Sequence, residues 1–278
     1  MHAIDTLLDI MSRLRDPESG CPWDIKQSYS SIVPYTLEEA YEVADAIAQG
    51  DMQELRAELG DLLFQVVFYS QIAREEGHFD FNDVIEGINA KMIRRHPHVF
   101  ADAEFESDEA LHEAWEQTKA VERAGRKNMD KDGAEGQGSQ LDGIARALPA
   151  LIRAHKLQKR ASRVGFDWSD VTGAWDKLKE EVQEVEAELE SFADSQGQAQ
   201  QQQLQEELGD LLFSMVNVLR LSGMDAEQTL LKANDKFERR FRAMEANLYQ
   251  SGKADLDQLS AKELDEAWEK VKTNKSDK

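Results

Sequence analysis

The sequence predicts an all-α protein built of two tandem helical modules, each organised around two acidic helices. Three observations carry this. Proline is scarce, 5 in 278 residues. Apolar residues recur at helical spacing, and strand-like alternation persists nowhere. Four motifs occur twice in the same order, with length changes confined to apparent loops, which marks an internal duplication.

Taken in order, Ile4, Leu7, Leu8, Met11 and Leu14 share one face and predict an amphipathic helix over 3–15 that stops before Pro17. Glu18 to Asp24 reads as a loop. Thr36, with Glu39 three residues on, reads as a capping box opening a helix that runs to Gly50. Asp51 caps the next helix, which ends near Gly77. Asn82 to His96 forms another, stopped by Pro97, with His96 and His98 read as a loop feature, and Ser107 caps one reaching about Glu122. Residues 125–143, glycine-rich among Lys, Asp and Gln, read as a flexible linker between modules at 1–124 and 144–278. Leu148 to Val164 is then a helix, Gly165 to Trp168 a loop, and Ser169 or Asp170 the opening of a long helix with Glu180, Glu181 and Glu184. Residues 191–203 read as a mobile loop. Asp225 caps a helix to about Gln250, and Ser260 with Glu263 forms a capping box ahead of Trp268.

The duplicated motifs hold the candidate chemistry. Glu38-Glu39-x-x-Glu42 pairs with Glu180-Glu181-x-x-Glu184, and Glu58-Leu-Gly-Asp61-Leu-Leu-Phe64 with Glu207-Leu-Gly-Asp210-Leu-Leu-Phe213. Lys91, Arg94 and Arg95 pair with Lys236, Arg239 and Arg240, and Trp115 with Trp268. Acids three apart share a helix face and repel by roughly 0.2–0.5 kcal/mol, so a cation partner is the natural question. If the two acidic helices of a module pack antiparallel, four carboxylates converge. Hard oxygen donors without Cys or His suit Mg²⁺, with Mn²⁺ as a substitute, and disfavour zinc and Glu-x-x-His di-iron centres. The plain alternative is a solvated acidic face in a chain that is 32% charged. The Leu-Leu-Phe blocks are expected to turn inward and leave Asp61 and Asp210 in need of a partner. Gly60 and Gly209, each costing about 1 kcal/mol inside a helix, suggest close approach by another backbone or a ligand. The Lys236 cluster reads either as a phosphate clamp or as ion pairs with neighbours such as Asp235 and Glu238. Trp115 and Trp268 are either core or stacking surfaces for a base.

Composition narrows the partners. Net charge of −22 opposes binding to a nucleic-acid polymer or an anionic membrane, while a metal with a few local bases can still hold a phosphate. No apolar run approaches the roughly 18–20 residues of a membrane span. The first residues lack a signal-peptide pattern, and the single Cys21 fits a reducing, cytoplasmic setting.

Together with Arg15-Asp16-Pro17, Cys21-Pro22-Trp23-Asp24, Arg95-His96-Pro97-His98-Val99-Phe100, Val164-Gly165-Phe166-Asp167-Trp168 and Lys236-Phe237-Glu238-Arg239-Arg240, these motifs resemble the MazG-type nucleoside triphosphate pyrophosphohydrolases along nearly the whole chain. The resemblance implies tandem domains of the all-α NTP pyrophosphatase superfamily, a homodimer, and Mg²⁺-dependent conversion of NTPs and dNTPs to NMP or dNMP and pyrophosphate, a nucleotide-pool house-cleaning activity. It implies metal ligands at Glu181, Glu184, Glu207 and Asp210, with a second set at Glu39, Glu42, Glu58 and Asp61. It implies nucleotide contacts at Lys177, Lys179, Glu180, Glu181, Gln203, Glu206, Asp210, Lys236, Arg239, Arg240 and Trp268. Glu181 is the expected water-orienting carboxylate, with Lys236, Arg239 and Arg240 the expected stabilisers of the leaving pyrophosphate. One departure is that Gln203 stands where a lysine can precede the second acidic pair. The second half is favoured as the working one, because Lys177 and Lys179 precede its acids where the first half has Pro34-Tyr35-Thr36-Leu37. A dUTPase-like or modified-nucleotide hydrolase, and a non-catalytic nucleotide-sensing protein, are the competing readings.

Overall fold

A computed structural model describes residues 2–278 apart from 102, 104, 109, 112, 113, 116, 119, 120, 123–138, 195, 196, 253–255 and 274–278. Helix is the dominant regular structure among the described residues, which contain no strand. The chain divides into two compact units, Met1–Met129 and Asp130–Lys278. Most of the linker expected over 125–143 lies outside the described residues. Its end does not run free: Arg160 donates to the carbonyls of Gln140 at 3.0 Å and Asp142 at 3.3 Å.

The first unit comprises α1 (Ala3–Leu14), α2 (Pro22–Ile25), α3 (Tyr29–Gln49), α4 (Met52–Glu75), α5 (Phe81–Arg95) and α6 (Pro97–Phe100). Its centre is a hairpin of α3 on α4. Gly50 adopts φ 71° to end α3, and the Asp51 carboxylate accepts from the backbone N–H of Gln53 and Glu54 to start α4. Met11, Ile32, Val67, Phe68, Ile72 and Phe81 form the core, drawing α1, α3, α4 and α5 together. Ser107 accepts from Ala110 N–H at 3.2 Å, and the described residues from there to Glu122 are helical.

Two expectations fail here. The α3 helix begins at Tyr29, not Thr36, because Ser28 and Ser31 cap it reciprocally. The Thr36 hydroxyl instead donates to the Ile32 carbonyl at 3.2 Å and meets the Tyr69 hydroxyl at 3.0 Å. Pro34 lies inside the helix, where its missing N–H forfeits one bond near the first turns. The segment expected as a loop around Pro22 contains α2, with Pro22 at the first helical position that its fixed φ favours.

The second unit comprises α7 (Ala150–Ser162), α8 (Val171–Asp194), α9 (Gln198–Leu221), α10 (Ala226–Gln250) and α11 (Ala261–Thr273). The α8 and α9 helices pair as α3 and α4 do. Asp170, Asp225 and the Ser260–Glu263 box cap α8, α10 and α11 as their spacing predicts. The glutamine run expected as a loop is helical from Gln198 onward. Gln is close to Glu and Lys in helix propensity, so the run continues the helix. Trp268 packs on the core of Met244, Leu248 and Val271 between α10 and α11.

The Leu-Leu-Phe blocks turn inward only in part: Phe64 packs against the core of the first unit and Leu62 and Leu211 are half-buried, while the middle leucines stay open. Leu63 is 41% exposed and Leu212 62% exposed. Leu59, Leu63 and Val66 on α4, and Leu208, Leu212 and Met215 on α9, form matching apolar rows that each unit leaves open. No helix among the described residues is long and apolar enough to cross a membrane.

Candidate active site

Helical spacing builds two carboxylate clusters. Glu181 and Glu184 stand a turn apart on α8, and Glu207 faces them from α9, with a carboxylate oxygen of each within 4.8 Å of the others. Glu39 and Glu42 on α3 with Glu58 on α4 repeat the arrangement. Asp210 and Asp61 follow one turn on, outside these triads and exposed. The donor set is oxygen-only and comes from two paired helices, which fits a hard divalent cation such as Mg²⁺ or Mn²⁺.

The clusters differ in their charge balance. Lys177, one turn before Glu181, brings its Nζ to 2.9 Å from both Glu180 and Glu181 and 4.0 Å from Glu184. Hydrogen bonds to Glu180 and then Glu181 raise the Lys177 pKa. Glu181 is itself 5% exposed, so its charge is sequestered from water and held by a cation at once. Desolvation raises the Glu184 pKa, with Glu181 and Glu180 adding repulsion against the opposing pull of Lys177. In the first unit Tyr35 occupies the position of Lys177. There desolvation, then Asp61 and Glu42, raise the Glu39 pKa, and desolvation, then Glu42, push Glu58 up to about 6.

Of the two neighbours that Gly60 and Gly209 suggest, another backbone or a ligand, no described backbone approaches either: a β-carbon there would meet nothing within 4 Å. Both glycines border open space.

The second unit also holds a cavity of about 630 Å³ that begins at the carboxylates. Lys177, Glu181 and Asp210 line one end, and Gln158, Trp168, Phe213, Asn217 and Arg220 lie among its other walls. Asp210, Phe213, Ser214 and Asn217 share one face of α9, so about 10 Å of helix separates the acid end from Asn217. Arg220 fixes the far wall. It donates to Asp167 at 3.0 Å and to the side-chain amide oxygen Oδ1 of Asn217 at 2.6 and 3.1 Å, tying the 165–168 loop to α9. Trp168 lies against α8 because Gly173 has no side chain; a β-carbon there would be 3.0 Å from the indole.

The first unit fills the corresponding place. The 149-residue offset that pairs Glu58 with Glu207 sets Phe68 opposite Asn217. Phe68 is 1% exposed and meets Trp23 and Phe64 edge-on at 6.5 and 6.0 Å. The Arg15 guanidinium sits 5.4 Å above the Phe68 ring and binds Glu75 at 2.7 Å.

Of the site residues expected from sequence, the structure groups Lys177, Glu180, Glu181, Glu184 and Glu207, with Asp210 on the adjoining cavity wall. Lys179 turns to Asp176 at 2.9 Å. Gln203 and Glu206 are exposed on α9, where Glu206 accepts from Gln202. Lys236, Arg239 and Arg240 stand on α10 and Trp268 on α11, apart from the cavity-lining residues, and Trp268 contacts Phe237 at 5.2 Å. In the first unit Arg94 and Arg95 are both held by Glu122, whose pKa their hydrogen bonds, Arg95 first, lower to about 2 against its desolvation. Trp115 meets His96 at 5.4 Å. Gln158, Asn217 and Arg220 were not singled out from sequence. The spacing of Asn217 seven residues beyond Asp210, on the same helix face, was the available signal.

The MazG nucleotide pyrophosphohydrolase domain is matched twice, over residues 27–100 and 172–244, covering α3–α6 and running from α8 into α10. The chain is 50% identical over 277 residues to a nucleoside triphosphate pyrophosphohydrolase of Escherichia coli K12, covering all of both chains. It is 42% identical over 268 residues to a Thermotoga maritima protein named nucleoside triphosphate pyrophosphohydrolase/pyrophosphatase MazG, covering 96% of this chain and 95% of that one. It is 34% identical over 164 residues, 58% of this chain and 48% of the other, to a nucleoside triphosphate pyrophosphohydrolase of Mycolicibacterium smegmatis.

Proposed function

The chain belongs to the MazG nucleotide pyrophosphohydrolase family, and from that premise we propose that its second unit hydrolyses nucleoside triphosphates, NTPs and dNTPs, to the monophosphate and pyrophosphate. The observation that carries this is the continuity of the carboxylate cluster with the cavity: Glu181 belongs to both, and Lys177, paired with it, and Asp210, one turn beyond Glu207, line the same cavity. A polyphosphate at the acids thereby has a place for the rest of the nucleotide. The domain matches and the full-length relative support the reaction class.

Glu181, Glu184 and Glu207, with Asp210 beside them, would hold Mg²⁺, or Mn²⁺ in its place. Bound there, the ion supplies charge neutralisation for the triphosphate and lowers the pKa of water. The remaining work falls to side chains. Glu181, buried and fixed by Lys177, orients the attacking water and accepts its proton. The water oxygen bonds to the α-phosphorus, the bond from that phosphorus to the α–β bridging oxygen breaks, and the electron pair leaves with pyrophosphate. Lys177, already within reach of the cluster, stabilises phosphate charge as the nucleotide enters. Lys236, Arg239 and Arg240 are assigned to the pyrophosphate end, which requires α10 and the substrate to approach one another.

The apolar rows on α4 and α9 support a homodimer in which a second copy covers them. Light scattering during gel filtration checks this, and a monomer at micromolar concentration would contradict it. The activity is tested by incubating the protein with each NTP and dNTP and Mg²⁺. Pyrophosphate and the monophosphate are expected. Orthophosphate with a diphosphate would overturn the assigned bond.

A further inference from the structure

Lys177 and Glu181 stand one turn apart on α8, and the lysine Nζ lies 2.9 Å from Oε1 of Glu181. The same ammonium is 2.9 Å from Oε1 of Glu180 and 4.0 Å from Oε2 of Glu184. Glu181 and Glu184 are two of the three acids whose oxygens converge, so the lysine stands at the edge of the metal-type donor set itself. Lys179, two residues on, is engaged elsewhere, with Asp176 at 2.9 Å.

Two features make this a competition and not a fixed strut. Glu181 is 5% exposed, so two positive charges drawn to its carboxylate repel with little screening by water or salt. The lysine also has somewhere else to go. Its long, flexible side chain is 34% exposed and already touches Glu180, which lies outside the triad. It lines the cavity beside the acids as well. The first unit lacks the device: Tyr35 stands at the position of Lys177, and its ring meets Trp23 edge-on at 5.7 Å.

We propose that Lys177 is a resident counterion of the second cluster, holding the acids against a lone divalent cation and moving to the phosphates when a nucleotide arrives. Metal and triphosphate then load together, each raising the affinity for the other. Glu181, given up by the lysine, passes to the metal. The proposal rests on the reading that the second unit takes a nucleoside triphosphate with a divalent metal.

The test is calorimetric titration of Mn²⁺ with no nucleotide present. A Glu39→Gln/Glu58→Gln background leaves the second cluster as the one complete triad among the described residues. In that background Lys177→Met is expected to bind Mn²⁺ about tenfold more tightly than the protein that keeps Lys177. Lys177→Arg retains the charge and is expected to bind Mn²⁺ as Lys177 does. An α,β-methylene NTP analogue, which is not cleaved at the assigned bond, is then added. It is expected to tighten Mn²⁺ binding by a larger factor with Lys177 than with Lys177→Met. Direct contact of phosphate with metal acts in both proteins and cancels in that ratio. Unchanged or weaker Mn²⁺ binding in Lys177→Met, equal tightening in Lys177→Arg, or no Mn²⁺ binding in either protein would overturn the proposal. If Lys177→Met does not fold, Lys177→Gln is judged by the same criteria. Pyrophosphate release from NTPs by the unaltered protein reports on the underlying reaction separately. A working hydrolase whose Mn²⁺ affinity ignores residue 177 would sink this inference and leave that reading standing.

Discussion

The two halves carry the same acids at the same spacing, yet they are different sites. In the second, a lysine lies among the carboxylates and a cavity of about 630 Å³ opens beside them. In the first, no lysine or arginine among the described residues pairs with Glu39, Glu42 or Glu58, and Phe68 fills the space beneath Arg15. Both hold a metal-type donor set, so the acids alone do not separate the halves; the difference between them is the cavity beside the second set, on which its proposed activity rests.

The comparison breaks most visibly at Phe68. Phe68→Ala should cost about 3–5 kcal/mol, because it empties a fully buried position in the first unit's core. Denaturant unfolding measures this, and pyrophosphate release below the transition should change little. Asn217→Phe imposes the first unit's solution on the second. It should lower kcat/KM on the order of 100-fold by displacing the nucleotide from the acids, with near-wild-type circular dichroism. Undiminished turnover in this variant would remove the cavity from the account.

Charge balance gives a smaller effect with a defined sign. Glu58 has a folded pKa of about 6 against an ordinary 4.5, set by desolvation and then Glu42. Its folded form therefore holds a proton more tightly than its unfolded form. Stability from this group is fully present below about 4.5 and is lost as pH rises through about 6. The first unit should thus melt at lower temperature at pH 7 than at pH 5 without metal, and regain temperature when Mn²⁺ is added. Glu58→Gln should flatten that dependence. The smallest effect falls where the halves agree: Gly60→Ala and Gly209→Ala should each add about 1 kcal/mol of stability, since the new β-carbon meets nothing within 4 Å. A loss at either position would show that a partner or ligand approaches there.

Much of the fold was legible because it rests on local chemistry. Asp51, Asp225 and the Ser260–Glu263 box cap the helices their spacing announces. The acidic triads were legible for the same reason, as helical periodicity puts Glu181 and Glu184 on one face and the duplication supplies Glu207. Local signals also misled. Thr36 and Glu39 match a capping pattern, but Ser28 and Ser31 offer an equal cap earlier, and packing of Ile32 against Met11 and Val67 makes the longer helix the better one. The glutamine run suggested a loop by its low complexity, though glutamine extends a helix readily. The cavity was not legible. Asn217 and Phe68 acquire opposite meanings only once Gln158 and Arg220, or Trp23 and Arg15, are brought around them by tertiary packing.

If the cavity decides where substrate is turned over, catalysis belongs to the second cluster alone. Pyrophosphate release from a saturating NTP, measured in Glu207→Ala and Glu58→Ala side by side, addresses it most directly. Glu207→Ala is expected to lose at least about 10²–10³-fold, and Glu58→Ala to stay within about twofold of wild type. Full activity in Glu207→Ala with none in Glu58→Ala would contradict it.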